Sequence, residues 1–202
     1  MRQRLNRKIA WLFVMVVASA TVYSQGMIEG RGTARRFVSE KYGFTVAVPP
    51  GWLVDPSANT PIFFSFTPAE AQDFNHQLKL PRGGAVISIV ASAELPGARP
   101  RTLSDWASAD ARGSSSDAPS VHSFEAPPNT GVTAAVISSF DSAVYGPQDQ
   151  SEHHVSIFWE FRHALFVTHL VYPAHDPKGP GFDAALETNF SSIRPLRDRP
   201  KR

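Results

Sequence analysis

Five of the seven histidines lie in one stretch of the chain, between residues 153 and 175. They are His153, His154, His163, His169 and His175. Imidazole is the commonest metal ligand in proteins and the commonest general acid or base. The cluster is therefore compatible with two kinds of chemistry. One is metal binding by the histidine-rich segment 153–175, and the other is hydrolysis with His154 or His169 as the base.

Two alternating apolar and polar runs, 154–162 and 165–172, decide which of these histidines can meet. Their period of two residues is typical of strands, and their proximity predicts an antiparallel hairpin. We place the centre of this hairpin between His163 and Ala164, so that Trp159 points toward the core. The polar side chains then share the opposite face of the hairpin.

On that opposite face the predicted register puts Glu160 opposite Val167 and makes it a diagonal neighbour of His169, about 7 Å away. His154 shares this face but lies toward the other end of the hairpin. The five histidines are thus expected to scatter, whereas a metal site needs three or four ligands at one point. We expect no metal site and no cofactor, with His169 half-buried and hydrogen-bonded to Glu160.

Other catalytic motifs are missing from the sequence. It contains no phosphate-binding glycine loop, no dinucleotide-binding glycine pattern, no H-E-x-x-H and no G-x-S-x-G. The absence of cysteine excludes a cysteine nucleophile, disulfide bonds and a lipid-modified cysteine. A Ser-His-Asp site can be assembled from distant residues, so a hydrolase remains the alternative to a non-catalytic protein.

Three tryptophans, Trp52, Trp106 and Trp159, could form a platform on which an exported protein stacks a ligand. Trp106 and Trp159 fall on faces that the sequence predicts to be buried, and large aromatic rings usually fill cores. Trp52 follows a turn, and its position is the least determined of the three. The candidate ligand-contacting residues are therefore Trp52, His154, Glu160 and His169, with core packing as the favoured interpretation of Trp52.

The first 20 residues have the pattern of a secretory signal peptide. Four bases precede an apolar run, Ile9–Ala20, that ends in Ala-Ser-Ala. The run is shorter than the roughly 20 apolar residues that a membrane span needs. We expect cleavage and a periplasmic or extracellular protein with no stable membrane span. An uncleaved N-terminal membrane anchor is the alternative.

The charge balance gives no indication of nucleic-acid binding. The chain has 20 basic and 18 acidic residues, and loss of the four N-terminal bases leaves 16 basic residues against 18 acidic ones. Residues 197–202 form a basic tail, whose simplest interpretation is a solvated segment. Contact with an anionic membrane or wall is the alternative interpretation.

The stretch KYGFTVAVPPGW, residues 41–52, shows how the elements begin. Gly43 suits a turn, the next residues alternate like a strand, and Pro50-Gly51 suits a type II turn that leads into Trp52. Further strands are predicted at 62–66, 85–92 and 133–141, and helices after Thr102 and over 182–193. Residues 21–35 resemble a flexible linker, and the long segments 67–84 and 112–131 resemble loops, where binding residues often lie.

This order of elements predicts one α+β domain over residues 36–196, with helices packed on a mostly antiparallel sheet. The opening YGFTVAVPPGW resembles that of PsbP-like proteins and their exported DcrB-like bacterial relatives, in which an aromatic-Gly-Phe strand leads into Pro-x-x-Trp. The helix start at Thr102-Leu103 and the closing FSSIRPL, residues 190–196, fit the same family. The resemblance implies an α/β/α sandwich and an accessory role without a catalytic centre.

We therefore expect an exported, non-catalytic binding or accessory protein of the cell envelope. Its partner would be an envelope protein or a small-molecule ligand. The sequence does not specify its oligomeric state. The hydrolase and the metal-binding protein are the alternatives.

Overall fold

The computed structural model describes residues 26–77, 80–95, 97, 100–114, 120–143 and 151–196. The predicted signal peptide and the basic tail 197–202 lie outside these residues. No helix within the described ranges is both long enough and apolar enough to cross a membrane.

Two antiparallel sheets and three helices form the described part of the chain. The smaller sheet contains β1 (Met27–Glu29), β2 (Arg36–Ser39), β3 (Phe44–Ala47) and β11 (Arg194–Pro195), in the order β1-β2-β3-β11. The larger sheet contains β4 (Leu53–Asp55), β5 (Ile62–Phe64), β6 (Val86–Ala91), β7 (Ser120–Ser123), β8 (Ala134–Ala143), β9 (Ser151–Phe161) and β10 (Ala164–Pro173), in the order β4-β5-β6-β10-β9-β8-β7. The helices are α1 (Pro68–Gln77), α2 (Leu103–Ser114) and α3 (Gly179–Ser191). The α+β class predicted from the sequence is confirmed.

The stretch 41–52 forms the predicted strand and turn. Gly43 and Gly51 have φ angles of 73° and 80°, values that favour glycine because it has no Cβ. The amide of Trp52 donates to the carbonyl of Pro49 at 3.0 Å and closes the turn. Trp52 is only 8% exposed, and its ring meets that of Phe182 edge to face, with centroids 6.2 Å apart.

The main core lies between the two sheets and is rich in aromatic rings. Trp159 and Phe166 stack at its centre with centroids 4.5 Å apart, and Phe44 of the smaller sheet meets both rings edge to face. The apolar stripe of α3 closes this core, since Phe182, Leu186 and Phe190 are buried. Ile193, which the sequence predicts on the same helix, follows the end of α3 and is also buried in this core. One face of the larger sheet is therefore covered by the smaller sheet and α3 together.

Helix α2 covers the opposite face of the larger sheet. Leu103, Trp106 and Ala107 pack against Phe158 and Val167, as the predicted stripe requires. The layers are thus α2, the larger sheet, and then the smaller sheet with α3. The predicted burial of Trp106 is confirmed by its 4% exposure.

The first turn of α2 depends on a side-chain cap. The amide of Asp105 donates to the hydroxyl of Thr102 at 3.0 Å. We expect Thr102→Ala to lower the free energy of unfolding by about 1 kcal/mol, because one N–H at the helix start loses its partner. Urea denaturation measures this loss. Thr102→Ser keeps the hydroxyl and serves as the control, so equal losses in both variants would contradict a capping role.

Three elements lie where the sequence predicts linker or loops. Strand β1 occupies part of the predicted linker 21–35, because it pairs with β2 and buries Ile28 against the core. Helix α1 lies in the predicted loop 67–84, and β7 lies in the predicted loop 112–131. The start of α1 has a local signal, since the carboxylate of Glu70 accepts from both the amide and the hydroxyl of Thr67.

Candidate functional site

The hairpin of β9 and β10 differs in register from the sequence prediction. Its turn is Arg162-His163, both with positive φ, and Phe161 pairs with Ala164. The centre of the hairpin thus lies between Arg162 and His163, one residue before the predicted centre. Each residue pairs with a partner two positions away from the predicted one, and Ser156 lies opposite His169. The sequence predicts the faces correctly because a shift of two residues keeps every side chain on its side of the sheet.

This register separates Glu160 from the histidine that it was expected to contact. Glu160 pairs with Leu165 and lies four residues along the strand from Ser156, which corresponds to about 13 Å. Its carboxylate is 3.9 Å from Nδ1 of His163, a ring that is 99% exposed. The predicted contact between Glu160 and His169 is therefore wrong.

A continuous chain of five polar side chains crosses the larger sheet beneath α2. The hydroxyl of Ser142 is 2.8 Å from Nε2 of His154, and Nδ1 of His154 is 3.1 Å from Nε2 of His169. Nδ1 of His169 is 2.8 Å from the hydroxyl of Ser156, which donates at 3.2 Å to the carboxylate of Asp110. Two of the five predicted histidines therefore converge, in contrast to the expected scatter.

We call this chain the polar relay, and one arrangement of protons satisfies each of its four internal contacts. Because Ser156 gives its only proton to Asp110, its oxygen accepts from Nδ1–H of His169. Neutral His169 then accepts at Nε2 from Nδ1–H of His154, and Nε2 of His154 accepts from Ser142 while His154 is neutral. When His154 carries a proton on both nitrogens, its Nε2–H faces the carboxylate of Glu152 at 3.5 Å. All donors point toward Asp110. Protonation of Asp110 permits the reverse arrangement.

The larger sheet and α2 position the polar relay together. Four of its members come from the adjacent strands β8, β9 and β10, and Asp110 comes from the C-terminal half of α2. The ring of Phe140 stacks on His154 with centroids 4.9 Å apart, which fixes that imidazole. Ser138 lies opposite Ser156, and its buried hydroxyl has no hydrogen-bond partner within the described structure.

The surroundings shift two pKa values of the polar relay in opposite directions. Burial, helped by the charge of His154, lowers the pKa of His169 to about 3. Burial raises the pKa of Asp110 to about 6, although the hydrogen bond from Ser156 and the charge of His154 oppose that rise. A proton shared between the half-buried Asp110 and the half-buried His169 therefore resides on Asp110 and leaves His169 neutral.

The other three histidines of the predicted cluster lie apart from the polar relay. Nδ1 of His153 is 2.6 Å from the carboxylate of Asp141, and His163 lies in the exposed hairpin turn. His175 lines a shallow depression of about 320 Å³ at the opposite end of the hairpin, beside Arg82. Within the described ranges, no group of three or more His, Cys, Asp or Glu side chains could hold a metal ion.

The described tryptophans form no exposed stacking platform. Trp52, Trp106 and Trp159 are 8%, 4% and 0% exposed. Trp52 was the candidate ligand contact among them, and its ring packs in the main core. Of the four candidate ligand-contacting residues, only His154 and His169 meet.

The order Ser142, His154, His169 has the form of a nucleophile, a base and a residue that orients the base. Such an order is the general signature of an activated hydroxyl. The sequence analysis missed Ser142, Ser156 and Asp110. The hairpin register is needed to bring the histidines together, and the packing of α2 on the sheet is needed to bring Asp110 to Ser156.

Comparisons with known proteins give no family. Neither a protein-family model nor a curated protein sequence matches the chain. The resemblance to PsbP-like proteins therefore stays a prediction.

Two solved structures show distant similarity to the chain. A Pseudomonas aeruginosa protein of unknown function, PA94, is 16% identical over 88% of this chain and 100% of its own, with a TM-score of 0.34. LpqN, involved in cell envelope biogenesis of Mycobacterium tuberculosis, is 14% identical over 89% of this chain and 83% of its own, with a TM-score of 0.25. At TM-scores below 0.5 neither similarity carries an argument about this chain.

Proposed function

We propose that this protein is exported and acts in the cell envelope as a non-catalytic binding or accessory protein. The observation that carries the proposal is the N-terminal pattern of four bases, the apolar run Ile9–Ala20 and the Ala-Ser-Ala site. The resemblance of residues 36–196 to PsbP-like proteins supports it. The partner would be an envelope protein or a small-molecule ligand.

The structure offers physical support for a binding role. Both faces of the larger sheet are covered, and the three described tryptophans fill its two cores. The polar relay satisfies its own hydrogen bonds, as a structural polar cluster does.

Export and partner binding are tested on the protein in its own cells. We expect mass spectrometry to find the mature chain beginning near residue 21 in the envelope fraction. Affinity isolation of this mature protein should then yield a reproducible envelope partner. An unprocessed chain in the cytoplasm would overturn export. A processed, monomeric protein that isolates no protein partner would direct the search to small-molecule ligands.

A periplasmic or extracellular hydrolase is the second candidate, favoured by the contacts from Ser142 through His154 to His169. In such an enzyme His154 would take the proton of Ser142 as its hydroxyl attacks an ester carbonyl, and His169 would orient His154. A hydrolase and a non-catalytic accessory protein should differ in whether Ser142 reacts with a probe for activated serines.

We expect a fluorophosphonate probe, which labels activated serines, to leave the folded protein unlabelled. Labelling that disappears in Ser142→Ala and persists in Ser139→Ala would instead establish Ser142 as a nucleophile. Ser139 is a suitable control because it belongs to the same strand but pairs opposite Val155, on the other face of the sheet. A screen of ester substrates provides the second measurement.

A further inference from the structure

One face of the smaller sheet carries arginine side chains that form no ion pair with a carboxylate of the described residues. Side chains of paired strand residues share a face, so Met27, Val38, Thr45 and Arg194 lie side by side on the face turned away from the main core. Arg36 lies two residues before Val38 on the same face, and Val38 itself is buried there. Arg162 adjoins this sheet from the hairpin turn, because its guanidinium donates to the carbonyl of Leu196 at 3.2 Å. We call Arg36, Arg162 and Arg194 the basic strip.

The guanidiniums of the basic strip bind neutral oxygens. Arg36 donates to the hydroxyl of Thr45 at 2.8 Å and to the carbonyl of Ser192 at 2.6 Å. Arg194 donates to the carbonyls of Ser191 and Ile193 at 2.7 and 2.6 Å. None of the ion pairs in the described residues includes an arginine.

The fold holds two of these positive charges close to each other. Burial, together with the nearby charge of Arg194, lowers the pKa of Arg36 below its ordinary value. Glu29 pairs across from Arg36 on the same face, yet the two side chains form no ion pair. The basic strip therefore keeps a positive field that favours an anionic partner.

Three features favour a lipid surface over a soluble anion. Met27 is 41% exposed on the same face, and an apolar side chain among bases is typical of membrane-interface surfaces. The sequence after Leu196 adds Arg197, Arg199, Lys201 and Arg202, with only one acid, Asp198.

The third feature is the chain connection to the apolar run Ile9–Ala20. Strand β1 begins at Met27, so only a few residues separate the smaller sheet from that run. These residues span at most about 20 Å even when fully extended. Until the expected cleavage removes that run, its insertion in a membrane would hold the smaller sheet near the lipid surface, where the basic strip could engage.

We propose that the basic strip and Met27 form a docking surface for the anionic headgroups of a phospholipid membrane. This inference rests on the proposed function to the extent that export brings the protein to a membrane surface. The occupant is a phospholipid bilayer. A neutral bilayer lacks the charge that the guanidiniums require.

Vesicle co-sedimentation tests the docking surface. The chain from Thr21 onward contains every described element and lacks the apolar run, which would bind lipid by itself. We expect it to bind phosphatidylcholine vesicles that contain phosphatidylglycerol and to bind pure phosphatidylcholine at least tenfold more weakly. Binding should decrease as salt increases, because salt screens exposed charges.

Charge variants then locate the surface. Each base near an anionic bilayer contributes about fivefold to binding, so Arg162→Gln with Arg194→Gln should weaken binding about 25-fold. The same two positions changed to lysine keep the charge and should keep most of the binding. Arg82→Gln removes one charge at the opposite end of the hairpin, beside His175, and should leave binding unchanged.

The results separate this inference from the proposed function. Equal binding to both kinds of vesicle, no binding to either, or an equal loss in Arg82→Gln would overturn the docking surface. Circular dichroism confirms that each variant is folded before it is tested. These measurements use purified protein, so they do not depend on export, which is tested by mass spectrometry of the mature chain.

Discussion

Trp159→Ala should lower the free energy of unfolding by about 3–5 kcal/mol, the usual cost of removing a large aromatic side chain from a core. Trp159 is fully buried between the sheets and meets the rings of Phe44, Phe166 and Phe190. Its truncation leaves a cavity where elements from both sheets and α3 meet, so the neighbours cannot collapse easily. Urea denaturation followed by circular dichroism measures the loss.

Trp159→Phe provides a milder variant that is expected to fold. It keeps a ring but removes the Nε1–H that donates to the hydroxyl of buried Thr168 at 3.0 Å. That hydroxyl then loses its partner, which costs about 1–3 kcal/mol. Adding Thr168→Val should recover part of this loss. Strictly additive losses in the double variant would contradict the hydrogen bond's role.

The arrangement around Trp159 shows which parts of the fold follow from local sequence. The alternation of Val155, Ile157, Trp159 and Phe161 predicts a strand with one apolar face, and all four are buried. Such periodicity depends only on neighbouring residues, so the strand and its faces could be predicted. The apolar stripes of α2 and α3 could be predicted for the same reason.

Pairing between distant segments could not be predicted in the same way. The turn Arg162-His163 lacks the Asn-Gly or Asp-Gly pair that marks a two-residue hairpin, and both its residues take positive φ. A neighbouring centre fits the same alternation equally well. Strand β1 is similar, since three residues acquire a stable conformation only by pairing with β2.

The candidate site depended on these distant pairings more than the fold did. The sequence indicated the importance of His154 and His169, but the wrong register assigned Glu160 as the partner of His169. Asp110 is more than 40 residues from Ser156 in the sequence, and only the packing of α2 on the sheet brings them together. Patterns within a single sequence do not show which distant segments come into contact.

The polar relay makes the stability of the protein depend on pH through two opposing groups. The pKa of His169 falls from 6.5 to about 3 on folding, so between these values only the unfolded chain binds the proton. Protonation of His169 therefore does not lower the free energy of unfolding above pH 6.5, and lowers it by at most about 5 kcal/mol as the pH falls toward 3.

The pKa of Asp110 rises from 3.8 to about 6 on folding, so the folded chain binds that proton at a higher pH than the unfolded chain does. Protonation of Asp110 therefore raises the free energy of unfolding by at most about 3 kcal/mol as the pH falls from about 6 to 3.8.

Substitutions of the two groups should therefore change the pH dependence of unfolding in opposite directions. Between pH 7 and pH 4, Asp110→Asn should lose more stability than the unsubstituted protein, because the gain from protonating Asp110 is gone. His169→Gln should lose less, because the half-buried imidazole that resists protonation is gone. His163→Gln removes the exposed imidazole of the hairpin turn, outside the polar relay, and serves as the control. Urea denaturation at a series of pH values measures each slope. Parallel slopes for Asp110→Asn and His169→Gln would show that the polar relay does not place its proton on Asp110.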